Sequence, residues 1–242
     1  MPADLRFAVI VPAAGEGRRM GGRPTGGRRK PFLLLDGRPV IHHVVARLCR
    51  APGCAQIILV LRPDDAADGE LCENLRALGA VSDIVLGGAT RQESVAAGLA
   101  AVRGDVPVVL THDAARPLID PSVVTRVAEA ASEHGAAVAA VPATDTVKEV
   151  GQGGVVARTP SRDSLWFAHT PQGLQRDLFE RAHEAARQDD FCGTDDVQLA
   201  ERIGAEVVVV QDTYDNIKIT SEEDLSIAEA ILQWQRERKG GG

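Results

Sequence analysis

The chain has 242 residues, enough for one large α/β domain or two small ones. Its formal net charge of −7 argues against nonspecific binding to nucleic acid or to a membrane surface, since both need a basic field. With five Phe, two Trp and one Tyr, the core is expected to be built from Val, Ile, Leu and Ala.

The chain opens with Asp4 and Arg6 and passes straight into an apolar run, Phe7–Val11, so no signal peptide is expected. That strand empties into Pro12-Ala13-Ala14-Gly15-Glu16-Gly17-Arg18-Arg19-Met20. Glycines let backbone N–H groups approach a phosphate closely, and nearby cations neutralise it. Arg18, Arg19, Arg23, Arg28, Arg29 and Lys30 fall in one short stretch of an otherwise acidic chain, which points to a local anion site over a plain surface turn. A dinucleotide fold is disfavoured. Asp36 lies at a suitable distance for a ribose-binding acid, but Met20 stands where the third glycine belongs and the arginines would crowd the pyrophosphate. There is no G-K-[ST] for a P-loop.

Strand patterns at Gln56–Leu61, Ile84–Leu86, Val106–Thr111, Ala136–Val141 and Glu206–Val210 alternate with helix patterns. The helices are expected at Val40–Arg50, Glu70–Leu78, Gln92–Val102, Pro121–His134, Gln175–Gln188, Asp195–Ile203 and Glu222–Arg238. The strands are continuous aliphatic runs, as in a sheet covered on both faces. The alternation predicts an α/β fold with a doubly wound, mostly parallel sheet, as one domain over 1–242. Two short β runs around Gly151–Gly154 break the pattern; they read as an inserted hairpin arm over about 144–166, with one solvated face. Cys49, Cys54, Cys72 and Cys192 contain no C-x-x-C pair and read as reduced core thiols. No apolar run approaches the roughly 20 residues needed to cross a bilayer, so a soluble, cytoplasmic protein is expected.

Further candidates stand at strand ends. Gly87-Gly88-Ala89-Thr90-Arg91-Gln92-Glu93-Ser94 is either a turn with a Thr90/Glu93 capping box, or a place where exposed backbone and the Ser94 hydroxyl read a base edge. Asp113, after a buried strand, suits a Mg²⁺ or ribose partner, with Arg116 as a phosphate ligand; the plain alternative is an Asp–Arg structural pair. Asp145-Thr146-Val147-Lys148 leaves another strand end, though Asp and Thr also favour turns. Thr194-Asp195-Asp196 reads most simply as a helix cap, and Lys218, in Asp215-Asn216-Ile217-Lys218, as surface.

Taken together, P-A-A-G-E-G-R-R-M with Lys30, G-G-A-T-R-Q-E-S, H-D-A-A-R-P, D-T-V-K, the run from Arg162 to Gln172, T-D-D and D-N-I-K resemble the 2-C-methyl-D-erythritol 4-phosphate cytidylyltransferase family, in its order and over almost the whole chain. The resemblance implies a Rossmann-like nucleotidyltransferase that moves CMP from CTP to methylerythritol phosphate with Mg²⁺, in non-mevalonate isoprenoid synthesis. It implies that Arg19 and Lys30 stabilise the transition state and that Arg162 and Lys218 position the acceptor phosphate. Ala13, Ala14, Gly15, Gly17, Gly88 and Ser94 match nucleotide-binding positions. Asp113, Arg116, Thr146, Thr170 and Thr194 match acceptor- or metal-side positions, with Asp113 on the metal. It also implies a homodimer joined through the hairpin arms. The chain differs from the usual pattern in a longer Gly21–Arg29 loop, in Pro31 after the lysine, and in Ala89. A ribitol 5-phosphate cytidylyltransferase and a catalytically silent nucleotide-binding protein are the alternatives.

Overall fold

Aliphatic runs without polar interruption form strands only where both faces of a sheet are covered. In the computed structural model, which describes residues 5–15 and 29–240, seven strands make one sheet, most of them such runs. They are β1 (Phe7–Pro12), β4 (Cys54–Leu61), β5 (Val81–Leu86), β6 (Val108–Thr111), β7 (Ala136–Pro142), β10 (Trp166–Gln175) and β11 (Val207–Gln211), in the order β11-β7-β10-β6-β1-β4-β5. Pairing is parallel except at β10, which runs antiparallel to both β6 and β7. The mostly parallel α/β sheet expected from the sequence is therefore present, with one strand more than the periodicity predicts.

Successive residues of β1 serve opposite cores. Phe7, Val9 and Val11 join a cluster with α1 (Val40–Leu48), α3 (Gly69–Arg76) and α5 (Pro121–His134). Ala8 and Ile10 join another with α4 (Arg91–Ala100), α6 (Arg176–Gln188) and α7 (Asp196–Arg202). At Gly98 of α4 an added Cβ would come within 2.5 Å of Ile10 Cγ2, so this helix lies close against the sheet because it carries no side chain there. A third cluster forms where Leu33, Leu35, Val40 and Leu118 meet Ile219 and α8 (Glu222–Gly240). Here a two-residue turn joins β2 (Leu34–Leu35) to β3 (Arg38–Pro39). Asp36 sits in that turn at φ 51° and pairs with Arg236, away from any ribose-binding role.

The helix ends follow local chemistry. Thr90 and Glu93 form the full capping box on α4. Asp120 accepts from Ser122 N–H before Pro121, and Gly135 closes α5 at φ 96°. Asp195 caps α7 by accepting from Gln198 N–H. The remaining helix, α2 (Pro63–Ala66), is a single turn.

The inserted hairpin is β8 (Glu149–Val150) paired with β9 (Val156–Arg158), a small separate sheet. Both of its faces are exposed, not the one face that alternation suggested: Val150 is 55% exposed and Val156 51%. The thiol expectation also needs correction. Cys72 is buried, but Cys192 follows the end of α6 and is exposed. No helix is long and apolar enough to cross a membrane among the described residues.

Candidate active site

The sheet order reverses between β1 and β6, and in open α/β sheets a ligand crevice lies outside the carboxyl ends of the strands at such a point. Most of the described candidates collect there from two directions.

From β1 and β5 come the glycine-bearing loops. Ala13 N–H bonds to Val60 C=O at 2.8 Å, continuing the sheet register one residue past β1. A Cβ on Gly87 would stand 2.3 Å from the Ala14 Cβ and 2.8 Å from Ser94 Oγ, so the two loops touch because residue 87 has no side chain. Among the described residues, nothing stands within 4 Å of a Cβ built on Gly15. The Ser94 hydroxyl is buried and donates to Thr90 C=O at 2.9 Å. Gly88 is exposed beside Glu93, whose carboxylate accepts from Ala89 N–H. Lys30 opens a 3-10 turn over Lys30–Phe32, anchored by buried Pro31. Its neighbour Arg29 donates to Ala13 C=O at 3.1 Å and pairs with Asp65, which ties the start of this turn to the β1 loop. Arg19 and Gly17 lie outside the described residues.

From β6 and β10 comes a charged cluster. Asp113 follows β6 and receives Lys218 Nζ at 2.6 Å, with Arg91 Nε at 3.6 Å and Arg116 Nε at 3.9 Å. Burial alone would raise the carboxyl's pKa, but the charges of Lys218, Arg91 and Arg116 outweigh it and hold Asp113 well below the usual carboxylate range. Arg91 also donates to Asp196 at 2.7 Å, whose carboxylate further accepts from Thr111 Oγ1 at 2.6 Å. Burial would lower the Arg91 pKa, yet the two carboxylates carry it above its ordinary value.

Behind this cluster runs a relay of hydrogen bonds whose directions can be worked out. A backbone carbonyl only accepts, so the His112 Nε2 at 3.1 Å from Arg116 C=O carries the ring proton. Its Nδ1 is then an acceptor, and Thr170 Oγ1 at 3.2 Å donates to it. The same hydroxyl oxygen accepts from Asp113 N–H at 3.0 Å. The neutral ring is thus fully used, and its burial brings the His112 pKa down to about 4. Arg116 is buried and donates to Asn216 C=O at 2.6 Å, while Asn216 Nδ2 donates to Thr170 C=O and to Asp212. The segment carrying Lys218 is thereby tied to β6 and β10.

Three candidates lie apart from these groups. Arg162 is exposed at the base of the arm and donates to Thr144 C=O at 3.0 Å. Thr146 is exposed in the connection from β7 to β8. Thr194 N–H bonds to Gln198 Oε1 at the start of α7.

The sequence reading gave no role to Arg91, His112, Gln172 or Asn216. Gln172 caps α7, its Oε1 accepting from Asp196 N–H at 2.9 Å and Val197 N–H at 3.2 Å. All four fall inside motifs already noted, and what hid their roles is that each has a partner distant in sequence: Asp196 for Arg91 and Gln172, Thr170 for His112 and Asn216.

No group of three or more His, Cys, Asp or Glu side chains able to hold a metal ion occurs among the described residues. Asp113 is an ionised carboxylate already faced by Lys218, Arg91 and Arg116, so a hard cation there would take most of its ligands from phosphate oxygens and water, as Mg²⁺ does at phosphate sites.

A glycine-bearing loop beside a cation-rich strand end, at the switch point of such a sheet, suits a nucleotide phosphate, and the class of protein, a nucleotidyltransferase, is given by the family the chain matches. Residues 7–234 match the family model described as 2-C-methyl-D-erythritol 4-phosphate cytidylyltransferase (IspD). A relative of that name from Symbiobacterium thermophilum is 44% identical over 231 residues, covering 95% of this chain and 94% of the relative. Another, from Pelotomaculum thermopropionicum, is 41% identical over 234 residues, covering 96% and 97%. Among solved structures, the 4-diphosphocytidyl-2C-methyl-D-erythritol synthase of Anaerococcus prevotii superposes with a TM-score of 0.82 at 31% identity, covering 95% of this chain and 96% of that one. The chain belongs to the 2-C-methyl-D-erythritol 4-phosphate cytidylyltransferase family.

Proposed function

We propose that this chain transfers the cytidylyl group of CTP to 2-C-methyl-D-erythritol 4-phosphate and releases pyrophosphate, in isoprenoid precursor synthesis. The observation that carries the reading is the Asp113–Lys218–Arg91 cluster after β6, which pairs with β1, whose loop meets the β5 loop where Ala14 approaches Gly87. An oxygen of the acceptor's phosphate attacks the α-phosphorus, one P–O bond forms, and the bond to the β-phosphate bridge breaks with its electron pair leaving on pyrophosphate. The attacking monoester is largely dianionic at neutral pH, its second pKa being about 6, so no general base is required. That agrees with a site whose buried histidine is fully bonded and neutral.

The difficulty is repulsion between a dianion and a triphosphate, and cations placed where charge develops lower that barrier. Lys30 and Arg19 are assigned to the triphosphate and the transition state; Lys218 and Arg162 are assigned to the acceptor phosphate. Ala13, Ala14, Gly15, Gly17 and Gly88 supply backbone to the nucleotide, with Ser94 holding the turn beneath it. Thr146, Thr170 and Thr194 border the acceptor, and Arg116 acts through Asp113. Mg²⁺, held by Asp113 together with the triphosphate oxygens, would screen the phosphate charge. The exposed Val155, Val156, Trp166 and Phe167 in and beside the arm support a homodimer in which two arms meet. A cytoplasmic location accords with substrates of this kind.

Pyrophosphate release measured with CTP, Mg²⁺ and either acceptor is the test. Release is expected with methylerythritol phosphate and not with ribitol 5-phosphate. The reverse pattern would reassign the acceptor, and no release with either would leave only a nucleotide-binding protein.

A further inference from the structure

Away from the crevice, a cavity of about 350 Å³ opens between the β2–β3 turn, the outer face of α1 and α8. Its walls carry Arg38, Arg47, Arg50 and Arg236 together with His42 and His43. Among the described residues one acid, Asp36, lines it, and that carboxylate is already taken by Arg236. Arg47 is braced from inside, donating to Ile119 C=O at 3.1 Å and to Gln235 Oε1 at 2.6 Å. Arg38 and Arg50 make no ion pair among the described residues.

A chain of net charge −7 that gathers four guanidinium groups around one concavity pays a local repulsion. The neighbours feel it: after burial, Arg38 is the next influence pressing the His42 pKa down, and Arg50 acts against Arg47. The Nδ1 atom of His42 is buried and has no hydrogen-bond partner among the described residues. An anion would relieve the repulsion, and guanidinium forks match phosphate oxygens in pairs. The volume falls in the range of small-molecule sites, and the cations line a cavity, whereas a flat basic face would suit a nucleic-acid backbone.

We propose that this cavity is a second anion site, which takes a small phosphate-bearing ligand between α1 and α8. The ligand joins elements that reach the crevice. Leu33 and Leu35, next in chain to the Lys30 turn, and Ile219, next to Lys218, pack in one cluster with Leu232, which also lines the cavity. Clamping α8 to α1 would therefore steady both lysine-bearing segments.

Inorganic phosphate and pyrophosphate are the probes, titrated calorimetrically into the full chain saturated with CTP and lacking acceptor, so that the crevice is filled and no turnover occurs. Saturable binding of at least one probe is expected, weakened at least tenfold in Arg38→Ala/Arg50→Ala. Both residues are exposed, and CTP affinity in the double variant is expected to be unchanged. Arg50→Glu alone should also weaken the probe. Absence of binding to the CTP-saturated wild type, or equal binding by wild type and double variant, overturns the proposal. If only phosphate binds, the ligand carries a single phosphate; if pyrophosphate binds more tightly, the site spans two.

Discussion

His112 is a histidine placed for structure next to the residues assigned to chemistry. Folded, it takes up a proton only near pH 4, whereas in the unfolded chain it does so near 6.5. The unfolded state therefore binds more protons between those values, so stability rises with pH across the window and is lost as pH falls through it. A shift of that size corresponds to about 3 kcal/mol. Urea midpoints of wild type and His112→Gln at pH 7 and pH 4.5 should show a smaller acid loss in the variant; equal losses would mean that His112 does not titrate in this way. At Lys30 the expectation is kinetic. Lys30→Ala should lower kcat by about 10²–10³ while the KM for CTP changes little, because its contact strengthens as charge moves onto the leaving group. A change confined to KM would make Lys30 a binding cation only. The residues named from sequence are those whose chemistry is read locally: Asp113 after its strand, Lys30 after its loop. Arg91 escaped because its neighbours suggested a helix cap, and its partner Asp196 lies 105 residues on.

At the scale of elements, the aliphatic strands and the capped helices were legible because each advertises itself within about ten residues. β10 was not. Trp166–Gln175 contains His169, Pro171, Gln172 and Gly173 where a central strand should be aliphatic, so no period-two or continuous apolar pattern marks it. The polar residues are there because the strand passes the site: Thr170 completes the His112 relay and Gln172 caps α7. Gly173 leaves room for Val127 and Ala131 of α5, which an added Cβ would approach to 3.1 and 3.2 Å. The contact between the β1 and β5 loops gives a prediction of its own. Gly87→Ala would drive a methyl into Ala14 and Ser94, so it should weaken CTP binding severalfold while the far side of the sheet stays folded. Unchanged CTP affinity, read by titration, would separate this contact from nucleotide binding.

For the whole molecule, the exposed arm and the position of Arg162 at its base make an assembly prediction. Mixed dimers of Arg162→Ala and Lys30→Ala subunits should recover part of the activity that either homodimer lacks, if each arm serves its neighbour's site. Verified mixed dimers without recovery would confine Arg162 to its own subunit. The strand order carries a consequence for synthesis. β5, β4, β1 and β6 can pair as soon as about the first half of the chain has emerged, but β7 has neither neighbour yet, since β10 and β11 both follow it. Its Ala136–Pro142 segment, buried and apolar when folded, must wait with both edges open until residue 175 leaves the ribosome. A nascent chain stalled between β7 and β10 is thus a half-sheet with a free edge on β6 and an orphan strand behind it. It is the stage of this protein's life most in need of a chaperone.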